Sequence, residues 1–411
     1  MSKGRGKRDQ AVKRQYEVLP YPPRDPKDEA KRLIEGSPSH LDEVNHFLFT
    51  GRRDFTKPFH ALVAGGGTGD AAIMLAQHLA NRGEAGKVTY LDLSAASRKI
   101  AEARAKARGL KNITFLTGSL LDLPKMDLPL FDYIDCCGVL HHLEEPEAGL
   151  AALNECLADD GGMGLLLYAT LGRTGVYHVQ NALKSLTAGD SVSNQIKYAK
   201  SLLNDLPPSN WLNKNAAVGD HKLGEDAALY DLLLHPRDRS YLVPEILNLL
   251  ATSGLELVSF IMPIRYDPTL YLKDQDLRKK ARKLETGAQA ALAENLAGNM
   301  KTHSFYVRKA DGSTPGLAKF EPEMIPFLKD GNQDALARTL TAHSYLTARF
   351  DQEPVSIPVP DRAGEFVQKI NGVKSLRDIQ NDLSMDWPVF RAQFAPTYKF
   401  LYGLNLLWLK F

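Results

Sequence analysis

The alternation that begins near residue 60 constrains this chain more than any other feature. Ala61-Leu-Val-Ala64 is a short apolar run that ends in Gly65-Gly-Gly-Thr-Gly69, and an Ala/Leu-rich helical stretch follows over 70–82. The rhythm then repeats. Residues 87–92 read as a second strand, 95–108 as a helix stopped at Gly109, and 112–117 as a third strand. A fourth strand is expected over 131–137, a helix over 147–158 and a fifth strand over 163–168. Short apolar strands separated by longer helices predict an α/β fold, a doubly wound parallel sheet with helices on both faces.

The rhythm breaks over 171–240, a polar, helix-prone stretch with Pro207-Pro208. It returns as a helix over 243–253, a strand over 255–261, a charged helical stretch over 272–298 and a strand near 302–308. A turn-rich linker at 310–316 precedes what reads as a separate small α/β unit over 317–411, where Ser375 is placed to cap a helix. A chain of 411 residues suits two or three such units. The division expected is 1–55 as a basic tail and N-terminal strap, 56–310 as the core with an insertion at 171–240, and 317–411 as an accessory domain. Residues 2–14 carry six basic side chains against Asp9 alone and read as a solvated tail, with Tyr16 to Pro23 extended because of its prolines.

Lys and Arg number 51 against 49 Asp and Glu, so a coat for nucleic acid held by bulk charge is not expected. Three cysteines, Cys136, Cys137 and Cys156, form no disulfide framework and suit a reducing, cytoplasmic setting. No apolar run reaches the ~18 residues of a membrane span. Adjacent Cys136-Cys137 and adjacent His141-His142 diverge along their elements, so no metal site is expected.

The chemistry concentrates at the strand ends. A strand feeding into Gly65, Gly67 and Gly69 and then a helix lets a ligand lie against bare backbone. Asp92 closes the second strand, where a carboxylate accepts from two ribose hydroxyls. Both features fit a nicotinamide dehydrogenase as well as an S-adenosylmethionine (SAM) enzyme. Three further segments separate the two. They are Gly118-Ser-Leu-Leu-Asp122-Leu-Pro124, Phe131-Asp-Tyr-Ile-Asp-Cys-Cys137 running on to Leu140-His-His-Leu143, and Leu157-Ala-Asp-Asp-Gly161-Gly162. As a set, the chain resembles the class I SAM-dependent methyltransferases over 60–170, and through a reversed final strand to about 310.

That resemblance implies a Rossmann-like sheet of seven strands with the last antiparallel, a helical acceptor cap at 171–240, and SAM as cofactor with S-adenosylhomocysteine as product. It carries Gly65, Gly67 and Gly69 to the methionine and sugar side, Asp92 and Leu93 to the ribose, Ser119 and Leu120 to the adenine, and Cys137 and Gly138 to the sulfonium and the acceptor. Two positions depart from the family: Val63 stands where an acid is common, and Ser119 where an acid contacts adenine, for which Asp122 is a substitute. Gln15-Tyr16-Glu-Val-Leu-Pro-Tyr21-Pro resembles a segment that precedes the methyltransferase domain in some bacterial fusions, where Tyr16 and Tyr21 would fold over the cofactor cleft as a lid or pack as a strap.

Methyl transfer needs a positioned nucleophile, a dry cleft and, for a protonated acceptor, a base. His141 and His142 are the local candidates, although the family often keeps one of them structural, and the cap adds Tyr177 and His235. Trp211 and Tyr230 are candidates to line the acceptor cavity, and Arg237 and Arg239 to hold an anionic group. The acceptor is expected to be a small molecule, with a protein side chain docked through the C-terminal unit as the rival, and RNA ranks third among acceptors on the basic tail alone. That unit is similar to winged-helix-like modules and would serve docking or homodimer formation. A SAM-binding regulator without catalysis is the alternative outside enzymes.

Overall fold

A computed structural model describes residues 2–312, 315–329 and 331–411, with only the backbone given over 2–9. Its centre is a seven-stranded sheet of β1 (Phe59–Ala64), β2 (Gly86–Asp92), β3 (Ile113–Thr117), β4 (Phe131–Cys137), β5 (Leu157–Tyr168), β6 (Leu255–Phe260) and β7 (Thr302–Lys309). The order across the sheet is β3-β2-β1-β4-β5-β7-β6. β1 to β5 pair in parallel, and β7 runs antiparallel between β5 and β6. The order reverses between β1 and β4, which opens a crevice at their carboxyl ends.

Both faces are covered, so the central strands read as unbroken apolar runs rather than as alternation. Ala61 and Val63 of β1 face α2 (Leu41–Leu48) and α3 (Asp70–Ala80), with Ala101 of α4 (Ala95–Ala107) in the same cluster. Leu62 and Ala64 face the other way, into a core shared with α5 (Pro146–Cys156), α10 (Val243–Thr252) and α12 (Thr286–Ala297). The cap is made of α6 (Val176–Leu186), α7 (Val192–Asp205), α8 (Trp211–Lys214) and α9 (Asp226–Leu233), around its own apolar cluster. The charged stretch before β7 divides into α11 (Gln275–Ala281) and α12.

Three elements differ from the sequence reading. β5 begins at Leu157 rather than at 163, because Gly161 and Gly162 carry the strand through an irregularity opposite Phe131–Tyr133. The basic front is a helix, α1 (Ser2–Val18), that includes Tyr16. The prolines at 20, 22 and 23 restrict only the residues just before them, so the chain becomes extended after α1. Residues 401–403 continue a long helix, α16 (Trp387–Gly403), and only β11 (Leu407–Lys410) is a strand.

The C-terminal residues form β8 (Ile325–Leu328) paired with β11, a hairpin of β9 (Tyr345–Phe350) and β10 (Glu353–Pro358), and helices α13 (Gln333–Ala342), α14 (Ala363–Val367), α15 (Leu376–Asp382) and α16. The Ser375 hydroxyl accepts from the Asp378 N–H and caps α15. These residues are tied to the front of the core. Glu43, fully buried, accepts from Ser37 (2.7 Å), Tyr306 (3.1 Å) and Asn405 (3.2 Å). The Leu409 N–H donates to His46 Nδ1 at 3.0 Å. Tyr133 and Tyr306 both donate to the Pro38 carbonyl at 2.7 Å.

Candidate active site

The crevice between β1 and β4 is a cavity of about 290 Å³. The glycine turn forms its floor. Gly65 and Gly67 have φ of +80° and +51°, a region that only glycine enters freely, and a Cβ at Gly67 would stand 2.8 Å from the Tyr21 carbonyl oxygen. Gly69 does not border the cavity. It starts α3, and a Cβ there would lie 2.8 Å from that of Ala101, so it serves helix packing.

Asp92 borders the cavity, with Leu93 beside it. Its carboxylate accepts from the Gly67 N–H and the Ser94 N–H, each at 2.8 Å, and burial raises its pKa. The cap of α4 is Ser94, which leaves Asp92 free of that duty. Ser119, Leu120, Cys137 and Gly138 complete the walls at the ends of β3 and β4. Asp122 is exposed and lies away from the cavity, so Ser119 stands alone at that place.

The segment after α1 is the roof. Tyr16, Tyr21 and Pro22 border the cavity, and the strap is fastened at both ends. Ser94 Oγ donates to the Tyr16 carbonyl (3.0 Å), and Glu17 accepts from the N–H groups of Ala95 and Ala96 at the start of α4. Thr68 Oγ1 donates to the Pro22 carbonyl (2.7 Å), and Arg24 pairs with Asp70 at 2.7 Å. Beyond it, Arg104 is buried between Glu29 (2.6 Å) and Asp70 (2.6 Å), with Arg108 closing on the other Glu29 oxygen.

The far wall is built by the cap. Asp231, buried, accepts from Tyr16 (3.1 Å) and Tyr168 (3.2 Å), and burial raises its pKa. His142 borders the cavity, and its Nδ1 donates to the Arg237 carbonyl (2.8 Å), which leaves Nε2 as the acceptor nitrogen. His235 lies behind it, stacked at 3.7 Å. The Arg237 N–H donates to His235 Nδ1 (3.1 Å), so its Nε2 carries the proton and faces the Tyr16 hydroxyl at 3.4 Å. His142, Asp231 and His235 present ligand atoms within 4.8 Å of one another, an arrangement that metals favour. The proton fixed on His235 Nε2 opposes that use and makes the group a hydrogen-bonded relay.

Of the four expected catalytic residues only His142 borders the cavity; His235 lies behind it, and His141 and Tyr177 stand outside as well. His141 is fully buried beneath it, stacks on Tyr168 at 3.8 Å and accepts the Tyr168 N–H, so it props that ring. Burial holds its pKa well below the usual value. The Tyr177 hydroxyl accepts from Arg173 (3.2 Å), whose guanidinium lies 3.7 Å over Tyr168 and pairs with Asp238. Trp211 is exposed on the cap, and Tyr230 packs in the cap core. Arg237 turns to Glu144 (3.7 Å), Arg239 lies over Tyr241, and neither borders the cavity. Sequence reasoning missed Asp135, Tyr168 and Asp231. Tyr168 was legible as the last residue of a strand, whereas nothing marked Asp231 inside an apolar helix.

Comparison with known proteins agrees with this geometry. The family model described as a methyltransferase domain matches residues 62–163. An uncharacterized protein of Synechococcus sp. is 28% identical over 315 residues, 73% of this chain and 72% of that one. A demethylmenaquinone methyltransferase of Geobacillus stearothermophilus is 32% identical over 114 residues, 25% of this chain and 47% of that enzyme. In fold, the chain is similar to PKMT2 from Rickettsia typhi, with a TM-score of 0.63, 13% identity, and coverage of 91% of this chain and 75% of that one. The same protein has been solved with AdoHcy, at a TM-score of 0.61. Residues 62–163 thus match a methyltransferase domain, and the chain shares the fold of PKMT2 over most of its length.

Proposed function

We propose that this cleft transfers the methyl group of SAM to a nucleophilic oxygen, nitrogen or sulfur of a small acceptor admitted between the cap and the ends of β4 and β5. One observation carries the reading: a single cavity runs from Asp92, past the glycine turn, to the wall of His142, Tyr168 and Asp231. The residues present fit the cofactor. A Cβ at Gly138 would meet nothing within 4 Å and would occupy the cavity itself. Gly65, Gly67 and Gly138 would carry the methionyl side, Asp92 the ribose hydroxyls, and Ser119 and Leu120 the adenine. Bound there, SAM supplies an electrophilic methyl group on a sulfonium.

The chain supplies the rest. Tyr16, Tyr21 and Pro22 exclude water from above, and the backbone fixes the direction of approach. His142 Nε2 is placed to take a proton from the acceptor. A protein acceptor is the second reading. It draws on the extent of the likeness to PKMT2, which covers 91% of the chain and so reaches the C-terminal elements.

Calorimetric titration with SAM and S-adenosylhomocysteine tests the proposal. Expected is micromolar binding that weakens at least ~100-fold in Asp92→Ala, the loss of two hydrogen bonds to a charged group. A folded wild-type protein that binds neither compound overturns the assignment.

A further inference from the structure

The cavity is acidic in a way that methyl transfer alone does not require. Four aspartates border it (Asp70, Asp92, Asp135 and Asp231), and no lysine or arginine does among the described residues. The four differ in their partners and in their place. Asp70 is paired with Arg24 and Arg104. Asp92 accepts backbone N–H groups at the place for the ribose. Asp135 accepts from Ser39 and from Cys137 Sγ. Asp231, like Asp135, accepts only from neutral groups, and it differs from Asp135 in its place. It is buried on the far wall, away from the glycine turn, and the hydrogen bonds it accepts come from two neutral tyrosine hydroxyls. A buried carboxylate is costly; His142 offsets part of that cost, no lysine or arginine borders the cavity to offset the rest, and an ammonium ion would lower it further.

We infer that the acceptor is an alkylamine that enters as its ammonium ion and is held by Asp231 between Tyr16 and Tyr168. The inference rests on the methyltransferase reading and narrows it to a substrate class. An anionic acceptor would meet this wall without a counter-charge, and a neutral alcohol would leave the carboxylate uncompensated. The cavity volume of about 290 Å³ lies at the small end for ligand pockets. A free alkylamine and a lysine side chain share the ammonium group that this wall would hold.

The chemistry balances with groups on the page. The ammonium gives one proton to His142 Nε2, whose other nitrogen is committed to the Arg237 carbonyl. The freed nitrogen lone pair forms the new N–C bond as the methyl–sulfur bond breaks, and that bonding pair stays on sulfur. The product is a methylammonium ion, and His142 returns its proton to solvent when the cleft opens. His235 and Tyr16 hold Asp231 in register from behind, through the Nε2–H to hydroxyl contact and the hydroxyl to carboxylate bond.

The test uses the full chain saturated with S-adenosylhomocysteine and n-butylammonium as the probe, with n-butanol as its neutral analogue, read by saturation-transfer NMR. Expected is binding of n-butylammonium in preference to n-butanol, reduced at least about tenfold in Asp231→Asn, since a charge-assisted bond is lost. Equal binding of the two probes by the wild type overturns the inference, and that comparison needs no variant to fold. Asp231→Asn is also titrated with S-adenosylhomocysteine. Affinity within about threefold of wild type keeps Asp231 on the acceptor, whereas a loss beyond about tenfold would assign it to the cofactor's own ammonium group and overturn the inference. Labelled methyl transfer to putrescine or to poly-L-lysine then distinguishes a free amine from a lysine side chain. Failure of the wild type to bind S-adenosylhomocysteine is a separate result, which sinks the methyltransferase reading itself.

Discussion

Arg104 fixes the roof of the cleft, and its removal has a magnitude that the structure sets. Its side chain is 1% exposed and bonds to Glu29, Asp70 and the Thr68 carbonyl, while the Glu29 side chain is 2% exposed. Removing one member of a buried pair costs about 3–5 kcal/mol, because the other charge is left without its partner. Arg108 remains on Glu29 and Arg24 on Asp70, so Arg104→Ala belongs near the lower figure, about 3 kcal/mol. With a urea m-value of about 2–3 kcal/mol/M, the midpoint moves down by roughly 1 M. The double change Arg104→Met with Glu29→Gln removes both charges and should recover most of that loss. Equilibrium urea unfolding followed by tryptophan fluorescence reads all three proteins. The strap holding Tyr16 and Tyr21 is fastened through this cluster, so Arg104→Ala also weakens SAM binding in calorimetry. A midpoint within measurement error of wild type, or a double variant no better than the single one, would refute the account of Arg104 as a buried ionic tie.

Gly67→Ala places a methyl group 2.8 Å from the Tyr21 carbonyl at a φ of +51°. It should cost about 1–2 kcal/mol in backbone strain and lower SAM affinity by lifting the strap; unchanged stability and affinity would count against the close approach. Asp135 is raised by burial to about 6. The folded protein therefore holds a proton that the unfolded chain has released between about pH 4 and 6, and stability falls as pH rises through that window. Asp135→Asn should flatten that slope and gain up to about 3 kcal/mol at pH 7, read by urea unfolding across the window. Parallel pH profiles for the two proteins would contradict this. Trp211→Ala, at an exposed position, should alter neither SAM binding nor stability beyond about 0.5 kcal/mol, and a larger change would return Trp211 to the acceptor site.

The sheet was legible because burial on both faces writes each strand as an apolar run and each crossover helix as a long one. The glycine turn and Asp92 were legible because their spacing follows from one strand–turn–helix unit. The far wall was not. Asp231 meets Tyr16 from 215 residues away and Tyr168 from 63, and no local period records such a meeting. His141 and His142 looked equivalent as neighbours in sequence. The short 3₁₀ turn at Leu140–His142 sends one ring under Tyr168 and the other to the cavity. The helix at the front was not legible because residues 2–14 are strongly basic and carry no apolar period, and the prolines at 20, 22 and 23 restrict only the residue before each.

The tie between Glu43, His46 and residues 405–409 sets an order of events. The hydrogen bonds involved span 362 and 363 residues, among the longest loops this chain can close. Pairings of such separation form late, because the chain entropy is lost before the contact rewards it. Glu43 and His46 can therefore take up these two bonds only once the far end of the chain is in place. An excised piece that stops before Asn405 would carry every residue of the cavity and yet take one of three hydrogen bonds from Glu43 and the Leu409 N–H from His46. Such a piece is a poor stand-in for the cleft, whatever its sequence contains.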